Sequence, residues 1–133
     1  KPDGQEFVDG DWADADAKCF GVLLDGRAQE TGIRRPGTDA TMLVVMNAHY
    51  DVVNFTLPQA PGGKRWRCVI DTNLPVREEL APFEFETQYM ATGRSFLVFM
   101  LEPDDDAESE DARRSFAHVS EAFARSTSDR LRV

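Results

Sequence analysis

Four aspartates fall within eight residues in Asp9-Gly10-Asp11-Trp12-Ala13-Asp14-Ala15-Asp16, a spacing of oxygen ligands that invites a calcium reading. An EF-hand loop begun at Asp9 would need Gly where Asp14 stands and Glu where Phe20 stands, so that pattern fails twice. The run reads instead as a solvated approach to the first strand. Zinc requires His and Cys at short set spacings, whereas His49 and His118 lie far from each other and from Cys19 and Cys68. Gly62-Gly63-Lys64 lacks the preceding pattern of a phosphate-binding loop and reads as a turn, and no nucleophile elbow occurs. A glycosidase needs two carboxylates about 5–9.5 Å apart, one of them in a cleft that raises its pKa. Nearly all the acids here lie in loops or acidic runs. Asp71 ends a strand, and with Thr72 after it suits a turn cap held by backbone bonds. The residues therefore predict no catalytic group, no metal and no cofactor.

Aromatic rings offer a different chemistry. Sugar rings stack on flat side chains, which give a large contact at little entropic cost, while Asn, Asp or Arg nearby bond the hydroxyls. Trp12, Tyr50 and Trp66 are the candidates for carbohydrate binding. Tyr50 falls at the tip of a turn and is the best placed to face solvent; Trp66 opens a strand and suits the core. Asn54-Phe55-Thr56 matches a glycosylation sequon, but it sits within a strand.

Six stretches must position these residues: Cys19–Leu24, Thr41–Ala48, Val52–Leu57, Trp66–Asp71, Glu84–Met90 and Ser95–Leu101. All are rich in Val, Phe, Thr and Tyr, as strands prefer. His49-Tyr50-Asp51 is short enough for a hairpin, Pro58 to Lys64 holds Gly62-Gly63, and Thr92-Gly93-Arg94 turns the fifth stretch into the sixth. Three tight links argue antiparallel pairing in a sandwich or small barrel, because parallel crossovers need a dozen or more residues. Val53, Phe55 and Leu57 share one face while Asn54 and Thr56 share the other, which predicts a wet face. The second and sixth stretches are apolar on both faces and so belong centrally, each side covered. Residues 25–40 read as a long loop. Residues 102–111 carry seven acids and no base, a solvated linker. Beyond it Ala112, Phe116, Val119 and Phe123 recur on one face of a helix over about 107–125, with acids leading and Arg125 closing, as the helix dipole prefers.

The 133 residues suit one domain and are too few for a (β/α)₈ barrel, which takes about 250. The formal charge is −9, which repels nucleic acid and anionic membranes alike. The apolar run Phe96 to Leu101 is far shorter than the roughly 20 residues of a spanning helix. Residues 1–18 have no apolar stretch of a signal peptide, and with Lys1 first the chain reads as cut from a longer one. Cys19 and Cys68 each sit in an apolar run, where free thiols are expected, with a cytosolic setting.

Several segments together resemble the C-terminal domain of bacterial glycogen debranching enzymes of the glycogen-operon, isoamylase-like type, in the α-amylase superfamily. Pro2-Asp3-Gly4-Gln5-Glu6-Phe7 with Asp11-Trp12 resembles the segment leaving the catalytic barrel, and Phe20-Gly21-Val22-Leu23-Leu24-Asp25-Gly26 the first strand of the terminal domain. Leu43 to His49, Val53 to Pro58, Trp66 to Thr72 and Gly93 to Phe99 resemble its later strands. The likeness runs in order through residues 1–101. It implies an all-β antiparallel sandwich appended to a barrel that hydrolyses α-1,6 branch linkages in glycogen or limit dextrin. The family's catalytic Asp, Glu and second Asp belong to barrel motifs absent here, so no catalytic residue carries over. The resemblance divides the chain into an exit segment at 1–18, a sandwich at 19–101 and an acidic linker with terminal helix at 102–133. The expected partner is the barrel of the parent chain, and a domain parted from it would tend to self-associate. The alternatives are a carbohydrate-binding module contacting α-glucan and a protein-interaction β-domain.

Overall fold

The computed structural model describes residues 1–26, 39–75, 80–103 and 110–130. Most of the 25–40 loop and of the acidic linker therefore lies outside the described residues. Among those described, seven strands and one long helix follow in the order β1 (Cys19–Leu24), β2 (Met42–Asn47), β3 (Val53–Thr56), β4 (Gly63–Asp71), β5 (Phe83–Glu84), β6 (Gln88–Ala91), β7 (Ser95–Pro103) and α1 (Glu110–Arg130). A single 3₁₀ turn at Asp11–Ala13 precedes them. The strands make a five-stranded sheet, β1-β2-β7-β4-β5, and a two-stranded sheet, β3-β6. Every pairing is antiparallel, and the all-β sandwich with a C-terminal helix is what the sequence predicts.

Alternation fixes which side chains meet between the sheets. Leu43, Val45 and Asn47 of β2 lie opposite Phe99, Leu97 and Ser95 of β7, and all six are buried. Phe55, Tyr89 and Ala91 close the same core from the small sheet. Trp66 is fully buried and its indole N–H donates to the Pro58 carbonyl at 2.8 Å. On the wet side of β3, Asn54 is exposed. Gly21 is required because a Cβ there would stand 2.8 Å from the ring of Phe55. The two doubly apolar strands do sit inside the sheet. On their outward side Phe96, Val98 and Met100 pair with Met46, Val44 and Met42; α1 packs against β7, where Val98 and Met100 are buried.

Two expectations of detail are corrected. None of the three tight links is a hairpin: those after β2, β3 and β6 all carry the chain from one sheet to the other. Turn residues dictate a reversal of direction, but β2 already has β1 and β7 as neighbours, so β3 must pair elsewhere. The stretch Glu84–Met90 is two strands in different sheets, β5 and β6. Glu86 breaks it with a left-handed backbone, φ 64°, a conformation costing a non-glycine residue roughly 1–2 kcal/mol. Its N–H donates to the Leu57 carbonyl at 2.7 Å and its carboxylate accepts from the Gln59 amide at 3.0 Å, which offsets that cost.

Candidate functional site

The residues before β1 lie along the open side of the sandwich. Pro2 offers its carbonyl to the N–H of Thr56 at 2.8 Å, tying the segment to the edge of β3, and Ala48 N–H reaches Lys18 O at 2.8 Å. Gly4, at φ 83°, takes the tight turn between Lys1 and Gln5, and a Cβ there would press within 3.2 Å of Thr56. Between segment and sandwich opens a cleft of about 400 Å³, with Phe7, Asp11, Asp14, Asp16, Lys18 and His49 among its walls.

Two rings that line the cleft, Phe7 and His49, each carry an exposed partner. Phe7 carries Trp12 on it, centroids 4.7 Å apart at 35°; His49 carries Tyr50, 4.3 Å apart and near parallel at 28°. Trp12 and Tyr50 are 74% and 76% exposed. Exposure on this scale for two of the largest side chains contrasts with Trp66, which is sealed in the core and presents no face to a ligand. Two of the three sequence candidates thus rest on rings that line one cleft, and the third lies in the core.

Both rings are held by their backbones. On the Trp12 side, Val8 N–H donates to the Asp11 carboxylate at 2.9 Å and Asp11 N–H returns to Val8 O at 2.9 Å. That backbone bond, with the Lys1 ammonium 3.2 Å away, keeps the Asp11 carboxyl below its ordinary value. Asp14 accepts the N–H of Asp16 at 2.9 Å. The aspartate run thus caps its own turns, and among the described residues no three His, Cys, Asp or Glu side chains converge on a common point.

On the Tyr50 side the flanking residues His49 and Asp51 are pinned by hydrogen bonds. Asn47, 1% exposed, accepts from His49 N–H at 3.0 Å and directs its amide at the carbonyls of Asp51, Ala91 and Thr92. Arg94 N–H donates to His49 O at 2.9 Å. Asp51 N–H donates to His49 Nδ1 at 3.1 Å. Gly93 lies under the loop so closely that a Cβ would sit 2.3 Å from the Tyr50 carbonyl oxygen.

Asp71 is occupied structurally. Its carboxylate accepts the Tyr89 hydroxyl at 2.7 Å and the Asn73 N–H at 2.9 Å. Burial, reinforced by that bond, pushes the Tyr89 phenol upward. Cys19 and Cys68 are free, and burial raises both thiols, Cys68 to about 11. Sequence reasoning overlooked Phe7 and His49 as the rings beneath the exposed pair. The signal available was proximity: Phe7 precedes Trp12 by five residues across a turn, and His49 adjoins Tyr50.

Comparison with known proteins adds a family. Residues 1–100 match the family model described as "Isoamylase, C-terminal". Among curated proteins, the "Glycogen operon protein GlgX homolog" of Mycobacterium bovis and that of Mycobacterium tuberculosis are each 29% identical over 99 residues. The match covers 73% of this chain and 14% of each relative, so the chain spans about one seventh of the length of the relatives it matches.

Proposed function

This chain belongs to the isoamylase C-terminal family, and on that premise we propose that it is the noncatalytic C-terminal β-domain of a glycogen debranching enzyme. The catalytic barrel, which cleaves α-1,6 branch linkages, is its partner within the parent polypeptide, and the complex works in the cytoplasm. The observation that carries this reading is where the match falls: residues 1–100 run from the segment at the cleft through all but the end of β7, one folded unit making up a small share of each relative. In functional terms residues 1–18 lead from the barrel, 19–101 form the stabilising sandwich, and 102–133 add the acidic linker and α1. No helix of the described residues is long and apolar enough to cross a membrane.

The test compares the parent enzyme with and without these residues. The truncated parent is expected to melt several degrees lower, and the 133-residue chain alone to release no reducing sugar from glycogen or a branched dextrin. An unchanged melting temperature, or turnover by the pure chain, would overturn the reading. So would an upstream reading frame that lacks a barrel with three catalytic carboxylates.

A further inference from the structure

The two exposed rings call for an account of their own. A buried aromatic contributes through the area it removes from water, about 25 cal/mol per Å², and Trp12 and Tyr50 forgo most of that gain. Their loops are nonetheless fixed by backbone and buried side-chain hydrogen bonds, with Asn47, Gly93 and Arg94 all serving the Tyr50 tip. Rigid, amphipathic rings held open to water are what a binding surface uses, because little ordering entropy remains to be lost on contact. Both rings rest on residues that line one cleft.

We propose that Trp12 and Tyr50 are stacking platforms for a neutral sugar chain, an α-glucan, bound along the cleft between Phe7 and His49. Three observations choose the ligand. The cleft wall carries Asp3, Asp11, Asp14 and Asp16 against Lys1 and Lys18 in a chain of net charge −9, which disfavours phosphates, nucleic acid and anionic lipid. Carboxylates at the wall are good acceptors for sugar hydroxyls, each bond to a charged group being stronger than a neutral one. The rings supply flat apolar faces that suit the C–H faces of pyranoses. The choice of an α-glucan among neutral sugars rests on the family reading above; the platform itself does not.

The chain carries its own reporter. Its two tryptophans are Trp12, exposed, and Trp66, fully buried and bonded to Pro58, so the red edge of the emission belongs to Trp12. Titrating the 133-residue chain with maltoheptaose is expected to shift that edge and to give saturable heat in calorimetry. Tyr50→Ala should weaken binding about tenfold, Trp12→Ala about tenfold by calorimetry, and the double variant should abolish it. Both side chains are exposed, so unchanged melting curves will show that the variants fold. Cellohexaose is the linkage control, and the full-length parent the control for access. The proposal is overturned by no emission change and no heat with maltoheptaose up to about 10 mM, or by equal affinity in the double variant. Equal binding of cellohexaose would overturn the α-glucan assignment. Binding that vanishes in the full-length parent would put polypeptide in the cleft and overturn it as well. The truncated parent's melting temperature is a separate measurement, so failure of the accessory-domain reading and failure of the platform are distinguishable.

Discussion

Asn47 does more than any other single polar side chain described. It is buried at the end of β2, and its amide binds carbonyls on both the 48–52 and the 91–94 links while its oxygen holds the His49 N–H. Removing it strands the buried Ala91 carbonyl and three part-buried partners at once, a buried one costing about 1–3 kcal/mol when left unmade. Asn47→Ala is therefore expected to lower stability by about 3 kcal/mol or more in urea unfolding; a loss under about 1 kcal/mol would mean water takes its place. Asp11 gives a pH signature. Its folded pKa is depressed, so its stabilising bond to Val8 is present above the ordinary value of 3.8 and is lost as pH falls through the lower folded value. Acid titration below pH 3.8 should release the Trp12 turn, seen as a change in red-edge emission that Asp11→Asn abolishes. Neither role is legible in the sequence. Asn47 looks like an ordinary turn-flanking residue until β6 and β7 are brought beside it, whereas Trp66 and the alternating Val53, Phe55 and Leu57 announce their burial through local pattern alone.

Strand β7 illustrates how elements were readable and pairings were not. Its two apolar faces place it centrally, and it does lie between β2 and β4. Local sequence carries no record of which strand crosses to which sheet, because a turn fixes direction and the choice of partner belongs to the whole assembly. At the β4 border Glu102, 8% exposed, takes both the Arg65 and the Arg67 guanidinium, the Arg65 Nη2 at 2.8 Å. The arginines are themselves partly exposed, so Glu102→Gln should cost about 2 kcal/mol rather than the full penalty of a sealed ion pair. Chemical denaturation of the variant, with Arg67→Gln as its partner in a double-mutant cycle, measures it. For α1, the predicted face holds in part: residues 116, 119 and 123 are half-buried while 117, 118, 121 and 122 are exposed. Truncation after Pro103 removes α1 from β7 and is expected to cost about 2 kcal/mol or more and to raise the light scattering of concentrated solutions through newly exposed apolar surface.

Taken as one molecule, the domain joins a sandwich whose core needs no help from the residues before β1 to a segment that lies over its open side and frames the cleft. Its strand arrangement also bears on the order in which it can be made. The pairs β1-β2 and β4-β5 are each local, yet among the described residues only β7, the last strand in chain order, joins them in the five-stranded sheet. Contacts as distant as Met46 with Phe96 must wait for it, and such long-range closure is slow compared with local pairing. A ribosome-bound chain that has exposed residues only as far as β6 holds the pairs β1-β2 and β4-β5 and the small sheet β3-β6 with the centre of the large sheet missing, the state most open to capture by chaperones or to aggregation. Completion of the sandwich therefore reports, in a single late event, that translation has run through Pro103.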